Sequence, residues 1–307
     1  KEEGKDIRSN KKLTLSDGRV IDRDGGDHQW AHHDVNSGVD FDIWDYKLGV
    51  GDDSHTVYNK PVVMDSFCSI LRVLNLEDVF ILGGNKNQSF PDFPDTQKAT
   101  MFYNAKDKKF RLSEKLNYKR WYGSVVITGD QKMVMMGGED ILTEIASPIP
   151  EIIDLKKIEE GWSVLEKAES YDLFGGRNFE WHYPRAFLAS DGNIIGISYN
   201  KLWVMDKDDD YRISKTGEIP LVEGGISRIF DHSNPNYKEQ ASLQLQLLTI
   251  GSAVGHKSSV VMIEKDKLLV FGGKQREKQY SSSNHVYLID FKDTFNPKIT
   301  KLKSMLY

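Results

Sequence analysis

Cysteine is nearly missing from this chain: Cys68 is the single one among 307 residues. No intramolecular disulfide can form, so cysteine usage leaves the redox compartment open. A lone Cys is most often a small buried hydrophobe. A basic excess is missing too. The 41 Lys and Arg against 46 Asp and Glu leave a net charge of −5, which argues against a general nucleic-acid binder. No apolar run approaches the ~20 residues needed to span a bilayer. The opening Lys1-Glu-Glu-Gly-Lys-Asp6 is not a secretory signal, so the chain is either cytosolic or begins after a removed leader. A Ser/His/Asp order, a phosphate loop and a Cys-pair zinc motif are not evident.

What is present is aromatic and glycine-punctuated. Aromatic residues make up 11% of the chain, with 25 Gly, a composition that fits an all-β protein. Four segments read as a strand ending in a small-residue turn: Val79–Gly84, Met133–Gly138, Asn193–Ser198 and Leu268–Gly273. Short apolar runs before a Gly pair suit buried strands followed by a bend that only Gly tolerates. Another strand-like segment precedes each across a polar turn: Phe67–Leu74, Tyr122–Thr128, Tyr183–Ala189 and Lys257–Ile263. A third element ends each time in Asp or Asn, at Asp45, Asn104, Asp154, Asp206 and Asp290. Such a side chain can hydrogen-bond the backbone of the following turn.

The markers are spaced by 59, 50, 52 and 84 residues, close to a kelch-type period of ~50 with insertions. The expectation is therefore an all-β, kelch-type β-propeller of four-stranded antiparallel blades, about five of them present. A β-sandwich with similar hairpins is the alternative. Residues 1–15 are expected as an N-terminal tail and 16–307 as blades. Lys156–Glu169 is the one helix-like stretch, and it reads equally as a strand in a charged setting.

Counting back fifteen residues from the first Gly of each pair reaches Cys68, Tyr122, Tyr183 (with Ser198 in place of the Gly) and Lys257. Cys68 and Tyr122 thus hold equivalent places at the starts of the first strands of adjacent blades. A thiol and a phenol placed this way can approach each other near one end of a propeller channel. They can also simply pack in the core between blades.

With these residues in view, the chain resembles the glyoxal oxidase and galactose oxidase family of copper radical oxidases. The resemblance is closest to the N-terminal propeller region of glyoxal oxidase and runs from about Asp40 to the end. Its carriers are Ile43-Trp-Asp45, Asp65-Ser-Phe-Cys68, Arg120-Trp-Tyr122, His182-Tyr-Pro-Arg-Ala-Phe187 with Asp191-Gly192, Gly251-Ser-Ala253 and Phe271-Gly-Gly273. The resemblance implies a thioether between Cys68 and Tyr122, with the modified Tyr122 ligating copper and carrying a radical. It implies a secreted, extracellular or cell-surface protein that oxidises small aldehydes or primary alcohols and reduces O2 to H2O2. Carbohydrate or protein would be its other partners, with no nucleic acid and no membrane span. The chemistry has a clear need for the pair. One Cu(II) accepts one electron, and a sulfur-substituted phenol is a readily oxidised second acceptor.

Several positions depart from the family. Its copper also uses a Tyr followed directly by His, and a further His from a C-terminal domain. Here Tyr307 has no following His, and His182-Tyr183 has the reverse order in another blade. One Tyr without imidazole partners is not a copper site, since Cu(II) favours imidazole in a tetragonal set. The expectation is that the C-terminal blades and Ig-like domain of the family lie outside this chain. The place of the family's stacking Trp is taken by Asp40, with Trp30 out of register. A non-catalytic kelch propeller for adhesion or protein interaction is the competing expectation. Asp22-Arg-Asp-Gly-Gly-Asp27 and His28, His32 and His33 read as surface loop, Asp206–Asp210 as a charged blade turn, and Asn87-Gln-Ser89 as an N-glycan sequon in a secreted eukaryotic protein.

Overall fold

Apolar runs of four to seven residues, each closed by a polar turn, lead directly to antiparallel meanders. The computed structural model describes residues 13–14, 20–23, 40–59, 61–74, 78–85, 95–143, 145–175, 183–220, 258–272 and 284–306. The His28, His32 and His33 patch, the sequon at Asn87, Lys257, Gly251–Ala253 and Tyr307 lie outside them.

Strands come in chain order as five sheets. The first contains β1 (Leu13–Thr14), β2 (Val20–Arg23), β3 (Phe41–Trp44) and β4 (His55–Tyr58). Its first strand falls on the N-terminal side of residue 15, the expected limit of the tail, and Leu13 pairs with Ile21. The second contains β5 (Ile70–Val73), β6 (Asp78–Leu82), β7 (Thr100–Asn104) and β8 (Lys109–Leu112). In the third, β9 (Trp121–Ile127), β10 (Lys132–Asp140), β12 (Glu151–Asp154) and β13 (Ser163–Val164) follow the same order, with the short β11 (Ile145–Ala146) also on β10. The fourth is β14 (Arg185–Leu188), β15 (Ile194–Ser198), β16 (Lys201–Asp206) and β17 (Arg212–Glu218). The fifth is β18 (Ser259–Glu264), β19 (Lys267–Phe271), β20 (Val286–Asp290) and β21 (Lys298–Lys301). These are propeller-like blades: sequential antiparallel strands, each pairing with its neighbour in sequence.

The five Asp/Asn markers behave alike. Each ends or directly follows the third strand of its blade and accepts a backbone N–H just beyond: Asp45 from Lys47 at 3.1 Å, Asn104 from Asp107 at 2.7 Å, Asp154 from Lys156 at 2.8 Å, Asp206 from Asp208 at 2.9 Å and Asp290 from Lys292 at 2.9 Å. The side-chain bond ends the ladder and begins the turn. Asp206–Asp210 is such a turn, and its Asp209 pairs with Lys167 at 2.7 Å and Arg212 at 2.6 Å.

Lys156–Glu169 holds no α-helix. Two single 3-10 turns, Ile158–Glu160 and Glu166–Ala168, flank β13. Gly161 at φ 79° ends the first turn, and the buried Trp162, Leu165 and Ala168 recur at a spacing of three, the period of a 3-10 turn.

By compactness the chain forms two units. One comprises Lys1–Gly123, Glu139–Thr143 and Ile153–Ser163, and the other Ser124–Gly138, Glu144–Ile152 and Val164–Tyr307. The first is built on a core of Phe41, Ile43, Met64, Val79, Ile81, Met101 and Tyr103. The second has two cores, one around Trp203, Phe174 and Met136, the other around Ile195, Val204, Val270 and Phe291. Within the second unit, polar clamps tie turns of successive blades. Asp266 accepts the Ser190 N–H at 2.7 Å and the Ser190 hydroxyl, and Thr294 donates to Asp191 at 2.9 Å.

Candidate functional site

The site is assembled by backbone bonds around Gly83 and Gly84, at the end of β6. Gly83 N–H donates to the Ala99 carbonyl at 3.0 Å and Gly84 N–H to that of Arg120 at 3.3 Å. Asn85 N–H donates to the Asp65 carbonyl at 3.0 Å, and Arg120 N–H to that of Gln97 at 3.3 Å. Both glycines have positive φ, 62° and 134°. A Cβ on Gly83 would overlap the Arg120 carbonyl, and one on Gly84 the Asp65 carbonyl. The Gly pair therefore does more than turn the chain. It lets segments 65–69 and 120–122 close on the strand end.

Those two segments carry the candidate residues. Asp65 is fully buried and its Oδ1 accepts the Phe67 N–H at 2.9 Å, opening a turn. Ser69 N–H closes the next turn on the Ser66 carbonyl at 2.9 Å. Cys68 is the third residue of that turn, at φ 57°, a position that usually selects Gly or Asn. Tyr122 N–H then donates to the Cys68 carbonyl at 3.4 Å. Tyr122 too is left-handed, at φ 65°, and Tyr183, the third residue of the register, has φ 51°. Left-handed backbone costs a residue with a side chain roughly 1–2 kcal/mol. Its recurrence at Cys68, Tyr122 and Tyr183 shows one blade-start geometry shared by a Cys and two Tyr. β5 and β14 begin two residues after Cys68 and Tyr183, whereas β9 already includes Tyr122.

Beside the pair, Arg120 is fully buried, its Cζ 5.7 Å from the centre of the Tyr118 ring. Lys119 pairs with Asp140 at 3.2 Å. Trp121 and Tyr122 rings lie 4.0 Å apart at 52°. Asp65 and Arg120 stand in the two quoted motifs, yet the approach of their backbones to Gly83 and Gly84 has no local signature, because the glycines come from another part of the chain.

The donors that Cys68 and Tyr122 offer are a thiol and a phenol. Among the described residues, no three His, Cys, Asp or Glu side chains gather into a metal-binding group. That set does not fit Cu(II), which favours imidazole nitrogen. No described helix is long and apolar enough to cross a membrane.

No protein-family model and no curated protein matches the sequence. Among solved structures, the chain is similar to a fungal alcohol oxidase of the AA5 family, described as catalytically diverse and determined in complex with copper. The TM-score is 0.61 at 13% identity, over 97% of this chain and 54% of that one. The chain therefore spans about half the length of this neighbour, and the likeness establishes the fold.

Proposed function

We propose that this chain is the N-terminal propeller part of a copper radical oxidase of the glyoxal oxidase type, acting outside the cell or at its surface. The observation that carries the reading is the pairing of Cys68 with Tyr122: two redox-capable side chains on hydrogen-bonded, left-handed backbone at equivalent blade starts. The fold shared with a copper-bound alcohol oxidase supports it. On this reading Cys68 and Tyr122 are joined by a thioether, formed with loss of the thiol hydrogen and one ring hydrogen as O2 becomes H2O2. The imidazole ligands that copper requires come from outside this chain. A primary alcohol gives an aldehyde plus H2O2, or a hydrated aldehyde gives an acid plus H2O2, each consuming one O2.

The test is O2 uptake and H2O2 release by the copper-loaded native protein against small aldehydes and primary alcohols. Equimolar O2 loss and H2O2 gain, abolished by Tyr122→Phe, is the expected result. No turnover with any of them, with copper bound, overturns the oxidase and leaves a binding propeller.

A further inference from the structure

We propose that Arg185 and Ser258 form a binding site for a small organic carboxylate, separate from the Cys68–Tyr122 pair and independent of copper. Arg185 opens β14, where it pairs with Ile197 on β15. Its Nη2 donates to the carbonyl of Ser258, 73 residues away, at 3.4 Å. That is a long bond, and a guanidinium has five N–H donors. Among the described residues, no carboxylate pairs with Arg185. Yet the group is half-buried, and burial pushes its pKa down, with Tyr183 opposing. A desolvated guanidinium without a counter-ion is costly, and such groups normally have one.

Ser258 supplies the second observation. It is 1% exposed, and its hydroxyl has no hydrogen-bond partner among the described residues, an exception to the rule that buried polar atoms are satisfied. One ligand resolves both. A carboxylate presents two coplanar oxygens that match the guanidinium fork, and either can also accept the Ser258 O–H. The surroundings suit an organic anion. Nearby, Phe187 of β14 and Val260 of β18 pack against the core of Ile195, Val204 and Phe291. The sequence showed neither residue as a site, because nothing local links Arg185 to Ser258.

The probe is sodium acetate, titrated into the full chain while the thermal midpoint is followed, against sodium chloride and sodium sulfate at matched ionic strength. Ligand binding to the folded state raises the midpoint saturably. The account expects a saturable rise with acetate in the millimolar range. It expects weaker binding by about tenfold in Arg185→Lys, which keeps the charge but loses the fork, and by several-fold in Ser258→Ala. Ser258→Ala removes only a hydroxyl, so it keeps the test decisive if Arg185→Lys does not fold. No rise above chloride, an equal rise with sulfate, or wild-type titration in Ser258→Ala overturns the proposal.

Discussion

The Tyr122 N–H donates to the Cys68 carbonyl at 3.4 Å, and both residues hold left-handed backbone, at φ 65° and 57°. Their alignment rests on Gly83 and Gly84, just after β6, which admit the Arg120 and Asp65 carbonyls where side chains would otherwise stand.

Gly84→Ala therefore disrupts the site's frame. The new Cβ overlaps backbone, which has no rotamer to escape into, and φ 134° is unfavourable for any L side chain. A loss of about 3 kcal/mol or more is expected. Gly49→Ala is the control. It also has positive φ, 90°, but nothing lies within 4 Å of its Cβ, so only the backbone cost of roughly 1–2 kcal/mol applies. Urea unfolding of both variants measures the contrast.

The fourth blade makes a similar use of a missing side chain. The Trp203 indole lies across Gly196, its cross-strand partner, and Trp203 Nε1–H donates to Ser198 Oγ at 2.9 Å. Gly196→Ala pushes the fully buried Trp203 off its place, at a cost of about 1–3 kcal/mol from overpacking. Ser198→Ala leaves the indole N–H without its acceptor, for about 1–3 kcal/mol. Thermal melts with tryptophan fluorescence test both, and Gly217→Ala, whose Cβ meets Leu202 at an ordinary 3.5 Å, is expected to be milder.

His285 gives the fifth blade a pH dependence. Burial, and then the Lys301 charge, hold its pKa below the usual 6.5. The folded state thus favours the neutral ring, while the unfolded chain takes up a proton near 6.5. Stability is fully present above that value and declines as pH falls through it toward the folded pKa. His285→Gln is expected to flatten this part of the stability profile between pH 7 and 5. An NMR titration placing His285 above 6.5 contradicts the assignment.

How much of this was legible in the sequence follows from how local each cause is. The turn at Asp206 was readable because its bond to Asp208 N–H spans two residues. The equivalence of Cys68, Tyr122 and Tyr183 was readable because a glycine pair, or Ser198 in its place, fixes a constant count back along one hairpin. The strands begin at Ile70 and Arg185, later than Phe67 and Tyr183, because apolar pattern alone does not mark where ladder pairing starts. Lys156–Glu169 was ambiguous because its buried residues repeat every three positions, between the helical and strand periods. The burial of Arg120 and the link from Arg185 to Ser258 arise from segments far apart in the chain, and no local pattern encodes them.

The central claim is that Cys68 and Tyr122 form one redox unit. Peptide mass analysis of the copper-loaded native protein tests it most directly. The account predicts a cross-linked peptide containing Cys68 and Tyr122, lighter by two hydrogens than the two separate peptides together. Separate peptides, with Cys68 fully alkylatable after copper loading in air, would contradict it.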